Sequence, residues 1–253
     1  NELTVIPLGT VSPYCKDNTN CPGFLIKYNN QNILLDCGNG ITRLLKFPMD
    51  LNNLNIFITH YHKDHIGDIS IIQYASYVYN KLGLLENKIK IYLPEQDFNY
   101  NLKSILSNKE TYSSYLYIND CTKINIEDLE VTFKDNKSHT IESYMVKLQN
   151  KDFKVVYTSD IGTTNFEDLI EFCKESDLLI CESSFLRSHN SKSKTHLTAY
   201  DAGRLANLSE SKRLLLTHFW PEENKESYLE EAKEIFNNTE VGIEGKKIIL
   251  KRK

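Results

Sequence analysis

Little in the sequence marks a specialised chain. Cysteine is scarce and scattered, six residues at positions 15, 21, 37, 121, 173 and 181 with no Cys-x-x-Cys pair. A zinc knuckle and a dense disulfide framework therefore lack support. Several of these cysteines sit in apolar contexts such as LLDCG and LLICE, as reduced, buried thiols do, while Cys15 and Cys21 are close enough in sequence to bridge a loop. Ten glycines and six prolines in 253 residues leave no room for collagen-like or low-complexity architecture. No apolar run approaches the ~20 residues needed to cross a bilayer, and the opening NELTVIPLGT lacks the basic-then-apolar pattern of a secretory leader. Neither charge dominates: 30 Lys and Arg face 34 Asp and Glu, a formal charge of -4. A broadly basic nucleic-acid-binding surface is not expected. Together these absences predict a soluble, cytoplasmic protein that does not associate with membranes.

What is present is an ordinary globular composition, 40% hydrophobic and 25% charged, long enough to bury a sizeable core. Short β-rich runs recur along the whole chain: Leu3–Leu8, Phe24–Tyr28, Asn32–Leu35, Leu54–Ile58, Ile89–Leu93, Leu129–Phe133, Tyr144–Leu148, Phe153–Tyr157, Leu178–Cys181, Arg213–Leu216 and Lys247–Leu250. Their lengths suit strands. Helices are predicted over Ile41–Phe47, Asp64–Leu82, Gln96–Leu106, Asn165–Lys174, Thr198–Leu208 and Glu222–Phe236, the fifth opening on a Thr N-cap. No linker or charge block divides the chain, so residues 1–253 read as a single domain of mixed sheets with outer helices. Tyr100–Asn119 and Ser188–Lys194, rich in Tyr, Asn and Ser, read as excursions from that core.

The chemistry concentrates in LNIFITHYHKDHIGD, residues 54–68. An apolar strand is followed at once by His60, His62, Asp64 and His65. Imidazole and carboxylate are ligands for a borderline metal such as zinc, and one ion cannot easily use all four from so tight a turn. His60 and His62 are expected to face one ion, Asp64 and His65 a second. His139, Asp160 and His218 each lie beyond a strand-like run or in an adjoining loop, where sites are usually built. Together they complete a ligand set: His60, His62 and His139 on the first ion, Asp64, His65 and His218 on the second, with Asp160 bridging. Zinc is the preferred ion, and manganese or iron suits the same nitrogen and oxygen donors.

The THYHKDH string with the later His139, Asp160 and His218 resembles the metallo-β-lactamase superfamily. Pro7-Leu8-Gly9-Thr10, Leu34-Leu35-Asp36-Cys37-Gly38, Tyr157-Thr158-Ser159-Asp160, Cys181-Glu182-Ser183-Ser184 and His196-Leu197-Thr198-Ala199 are similar to the ribonuclease Z-like phosphodiesterases. The resemblance implies an α/β (α+β) class chain folded as an αββα sandwich, two mixed sheets flanked by helices, with a dinuclear site at one edge. It implies a hydrolase that works through a metal-bridging hydroxide, with Asp64 in the catalytic machinery. It further implies that Glu182 orients His196 and that His196 meets the scissile phosphate as proton donor or phosphate ligand. An aspartate at position 160 argues against a true β-lactamase.

The sequence departs from the tRNA-processing pattern in two places. The Gly/Pro-rich basic arm of long-form ribonuclease Z is not evident, Phe98–Asn119 being its nearest counterpart, and His218 is followed by Phe-Trp-Pro-Glu-Glu. The expected substrate is therefore a phosphodiester, a small diester in preference to RNA. A ribonuclease Z-type tRNA 3′-processing endonuclease, a glyoxalase II-like thioesterase and a binding protein that kept the ligands without turnover are the alternatives. The apolar residues of the helix after His65 allow a homodimer contact beside the site. Trp220 is expected either to wall the substrate pocket or to pack in the core, and His189 is expected to be an ordinary loop residue.

Overall fold

The computed structural model describes residues 2–95 and 112–251. The first sheet runs β14-β1-β2-β3-β4-β5-β6 and the second β13-β12-β11-β10-β9-β8-β7. The strands of the first are β1 (Glu2–Gly9), β2 (Gly23–Tyr28), β3 (Gln31–Leu35), β4 (Leu54–Phe57), β5 (Ile89–Pro94), β6 (Ser113–Ile118) and β14 (Ile248–Lys251). Those of the second are β7 (Lys123–Ile126), β8 (Leu129–Asp135), β9 (Tyr144–Gln149), β10 (Lys154–Tyr157), β11 (Leu178–Glu182), β12 (Leu214–Thr217) and β13 (Thr239–Val241). Both sheets are mixed. Strands β3 to β6 pair in parallel, as do β10 to β13, and the remaining pairs are antiparallel.

Alternation along the strands builds the layers. Phe24, Ile26 and Tyr28 of β2, Ile33 and Leu35 of β3 and Phe57 of β4 point between the sheets, where they meet Val131, Phe133, Val146, Val155 and Tyr157. Phe57 stacks on Tyr92 at 4.6 Å and reaches Phe133 of the facing sheet at 5.7 Å. The intervening residues Leu25, Leu34, Leu54 and Ile56 face outward and pack with Ile69 and Ile72 of the helix α2 (Ile69–Lys81). Strands buried on both faces explain why the runs read as nearly continuous apolar stretches. On the far side, Val156, Leu179, Leu214 and Leu216 pack with Leu169, Leu205 and Tyr228 from α3 (Phe166–Cys173), α4 (Ala199–Leu208) and α5 (Lys225–Lys233). The order is helix, sheet, sheet, helix, the αββα sandwich expected. Among the described residues no helix is long and apolar enough to cross a membrane.

Four expectations need correction. The helix expected over Ile41–Phe47 is one 3-10 turn, Ile41–Arg43, entered through Gly40 at φ 90°, and the Thr42 N–H is taken by the Asp68 carboxylate at 3.0 Å. The helix expected over Asp64–Leu82 is two helices, α1 (Lys63–Ile66) and α2. Cys37 donates to the His65 carbonyl at 2.8 Å and accepts from the Asp68 N–H at 3.0 Å, so backbone groups a continuous helix would pair internally are given to the loop after β3. The helix expected from Glu222 begins at Lys225, where the Asn224 side chain accepts the Glu226 N–H at 3.0 Å. The end of the supposed excursion Tyr100–Asn119 is β6, paired in register with β5. The helix expected over Gln96–Leu106, and most of the Phe98–Asn119 segment, lie outside the described residues. All six cysteines are free thiols, Cys15 exposed and Cys21 buried.

Candidate active site

The parallel strands of both sheets end at one edge, and the loops beyond their carboxyl ends carry the site, the usual place for one in α/β sheets. Asp36 follows β3, His60 lies three residues beyond β4, Asp160 three beyond β10, Glu182 closes β11 and His218 follows β12. The backbone turns left-handed at Asp36 (φ 60°), Ser159 (φ 55°) and His218 (φ 64°). Such turns cost a non-glycine residue ~1–3 kcal/mol and cluster at functional sites. Gly38 lets α1 come close, because a Cβ there would strike the Asp64 carbonyl and the Cys21 backbone. His139 sits in the loop between β8 and β9, which Asn136 ties to the Asp160 carbonyl at 2.9 Å.

Asp160 is the centre. His218 Nε2 and His65 Nε2 lie 2.9 and 3.1 Å from its Oδ1, while His60 Nε2 and His139 Nε2 lie 3.4 and 3.8 Å from its Oδ2. Asp64 Oδ2 is 3.5 Å from His65 Nε2 and 3.6 Å from His218 Nε2, and Ser12 Oγ donates to it at 2.8 Å. Six of the seven sequence-assigned ligands thus converge within groups able to hold an ion. His62 stands at the exposed rim, its Nδ1 3.0 Å from His60 Nε2. His196 joins the edge of the cluster beside His139 and His218.

This donor set fits metal. Nitrogen and oxygen donors each ~2.0–2.2 Å from a zinc-like ion leave about the spacings seen here between themselves. Asp160 Oδ1 and His139 Nε2 are buried without a hydrogen-bond partner, a rare condition for buried polar atoms that something else does not satisfy.

The cluster's charges are strongly coupled. Burial alone would push His218 and His65 down, but Asp160 and Asp64 overcome it, raising His218 to about 10 and His65 well above its usual value. Burial would likewise raise Asp160 and Asp64, yet the surrounding histidines hold both carboxyls below the ordinary carboxylate range. His139, where burial outweighs the pull of Asp160, is lowered to about 3. His62 falls to about 4 through lost hydration on its inner edge and the neighbouring His60. His196 is opposed by burial, but Glu182, whose Oε1 lies 2.8 Å from His196 Nδ1, prevails and raises it.

A pocket of about 360 Å³ opens beside His196 and His218, walled by Pro13, Phe185, His189 and Trp220. Trp220 is 44% exposed and so serves as wall rather than core. His189 is not the ordinary loop residue expected. Its Nδ1 accepts the Leu186 N–H at 3.2 Å, its Nε2 is 3.0 Å from Glu223, and its ring meets Trp220 edge-on at 5.9 Å. The sequence motif at residues 34–38 includes Asp36 but assigns it no role; its Oδ2 lies 2.7 Å from His65 Nδ1 and 2.9 Å from the Tyr157 hydroxyl. An acid directly after an apolar strand was the available signal.

Comparison with known proteins agrees with this geometry. The model of the family described as Anti-Pycsar protein Apyc1 matches residues 3–240. The chain is similar to the Probable metallo-hydrolase YhfI of Bacillus subtilis (strain 168), 29% identical over 237 residues covering 93% of this chain and 94% of the relative. It is also similar to a Ribonuclease Z of Saccharolobus islandicus (strain L.S.2.15 / Lassen #1), 30% identical over 284 residues covering 92% and 94%. The crystal structure of the metallo-β-lactamase fold protein YhfI superposes with a TM-score of 0.89 at 25% identity, covering 98% of this chain and all of that one. A match over nearly the whole chain, on a fold whose strand ends gather these histidines and aspartates, places the chain in the Anti-Pycsar protein Apyc1 family, among the ribonuclease Z-like metal-dependent hydrolases of the metallo-β-lactamase fold.

Proposed function

We propose that this hydrolase is a phosphodiesterase acting on a small diester with two divalent ions, preferably zinc. His60, His62 and His139 would hold one ion, Asp64, His65 and His218 the other, and Asp160 would bridge them. The observation that carries this reading is the division of Asp160, one carboxylate oxygen facing His65 and His218 and the other facing His60 and His139. Bound ions supply positive charge for phosphate oxygens and a nucleophile at neutral pH.

The protein's own groups do the rest. The pocket beside the cluster seats one arm of the diester against Trp220, Phe185 and Pro13. His196, its Nδ1 engaged by Glu182, has Nε2 left for substrate, and its raised pKa keeps a proton available near neutral pH for the departing oxygen. Glu182 receives backbone N–H groups of Ile161, Ser184 and Leu197 at 3.0–3.2 Å, which hold it rigidly and so fix the orientation of His196.

Two features favour a small substrate. The pocket volume suits a single nucleotide-sized group better than a folded RNA surface. The ribonuclease Z alignment spans 284 positions, more than the 253 residues of this chain, so that relative carries segments this chain lacks. The relatives' name keeps ribonuclease action as the competing reading. A hydrolysis panel separates them: bis(p-nitrophenyl) phosphate, cyclic mononucleotides, precursor tRNA and a thioester. Turnover of the small diesters, with the p-nitrophenyl monoester much slower, is expected. Strong preference for precursor tRNA would restore the ribonuclease reading, and thioester cleavage alone would favour a glyoxalase II-like enzyme.

A homodimer is part of this reading. Ile71, Tyr74 and Val78 of α2 and Leu82, which caps its C-terminus, form an exposed apolar stripe at helical spacing, with Leu116 of β6 also exposed. Sedimentation is expected to give twice the 29.3 kDa chain mass, and a monomer at all concentrations would remove this element.

A further inference from the structure

Two buried carboxylates at the site, Asp36 and Glu182, each stand beside a histidine and beside a hydroxyl that leads to a second one. Asp36 contacts His65 Nδ1 at 2.7 Å, and Glu182 contacts His196 Nδ1 at 2.8 Å. Thr59 Oγ1 lies 3.0 and 2.9 Å from the two Asp36 oxygens and 3.0 Å from His60 Nδ1. Ser184 Oγ lies 2.8 Å from Glu182 Oε2 and 2.8 Å from His218 Nδ1. All of these groups except His196 are buried.

A proton inventory fixes the direction of both chains. A carboxylate accepts only, and a hydroxyl has one proton to give and two lone pairs. Two oxygens held 2.8–3.0 Å apart need a proton between them, so Thr59 must donate to Asp36 and Ser184 to Glu182. Each hydroxyl then offers its histidine only a lone pair. The Nδ1 of His60 and the Nδ1 of His218 must therefore be the donors, with Nε2 turned to Asp160. Ser159 Oγ, 2.6 Å from Thr59 Oγ1, fits the same scheme by donating to the second lone pair of Thr59; at 3.4 Å from His60 Nδ1 it lies beyond the usual hydrogen-bond range and does not replace Thr59 as that ring's acceptor.

We propose that Thr59 and Ser184 are positioning residues that set the tautomer and ring orientation of His60 and His218, each passing on the fixed direction of one buried carboxylate. The site thus has two matching half-relays. Asp36 orients His65 directly and His60 through Thr59, and Glu182 orients His196 directly and His218 through Ser184. Glu182 serves a metal-facing histidine and the substrate-facing one at once, so the two tasks share one carboxylate. The inference extends the two-ion reading, in which Nε2 of both relayed histidines must present a lone pair.

The test uses metal-free and metal-loaded full-length protein. In metal-free protein the His218 Nδ1–H is expected as a resolved, exchange-protected imidazole proton in nitrogen-edited NMR, lost in Ser184→Ala and kept in Ser184→Thr. Thr59→Val is expected to do the same to the His60 Nδ1–H and leave His218 alone, an independent arm should Ser184→Ala not fold. In competition with a chromophoric chelator, zinc affinity is expected to fall ~10–100-fold in Ser184→Ala and Thr59→Val and to be retained in Ser184→Thr. A protected Nδ1–H that survives both hydroxyl deletions overturns the relay. Because that signal is read without metal, its loss or survival is distinguishable from a wild-type protein that binds no zinc, which would instead strike the two-ion reading.

Discussion

Asp160→Asn is expected to empty both halves of the centre together. Among the described residues this carboxylate faces histidines on both sides, and an amide offers one acceptor oxygen and no charge. Losing a single supporting partner of a metal ligand costs ~10–100-fold in affinity or activity, and loss of the shared ligand should exceed the upper end of that range. Elemental analysis and diester turnover on the same preparation check it. His62→Ala, at the rim, is expected to weaken one ion more than the other. An Asp160→Asn protein that kept two ions and wild-type turnover would contradict the assignment of the bridge.

His196→Ala is expected to behave in the opposite way, keeping both ions while turnover falls. General acid catalysis contributes ~10²–10⁴-fold, and the loss should follow the leaving group. Esters of poor leaving groups should approach the full loss, whereas p-nitrophenolate, which departs with little protonation, should show a small one. Glu182→Gln supplies the matching pH test. Glu182 raises the pKa of His196 against the opposing effect of burial, and a proton donor loses activity as pH climbs through its pKa. Removing the carboxylate charge should therefore move the alkaline limb of the diester profile to lower pH. Equal losses for every leaving group, or loss of metal from His196→Ala, would make His196 structural.

The parts of the molecule legible from sequence are those governed by local pattern. Strands such as β2 and β4 are buried on both faces and carry nearly continuous apolar runs, interrupted by Lys27 and Asn55, and the proposed metal ligands lie in the segments that follow such strands. Thr198 as N-cap of α4 could be read because a cap acts within three residues, and its side chain indeed accepts the Asp201 N–H. What escaped depends on distant partners. The break between α1 and α2 exists because Cys37 claims the backbone of His65 and Asp68. Strand β6, with Tyr115, Leu116 and Tyr117 exposed, lacks the burial pattern that marks a core strand and owes its place to β5. Likewise Thr59 and Ser184 are unremarkable in sequence, and only the approach of Asp36, Glu182, His60 and His218 from separate strands gives them a task.

A zinc titration decides for or against a two-ion diester hydrolase. Metal-free protein receives zinc in fractions of an equivalent while hydrolysis of bis(p-nitrophenyl) phosphate is followed. Activity is expected to depend on added zinc and to level off at two equivalents per chain, reflecting ligands divided across Asp160. A plateau at one equivalent, or no diester hydrolysis at any zinc loading of the folded protein, would rule out the two-ion reading.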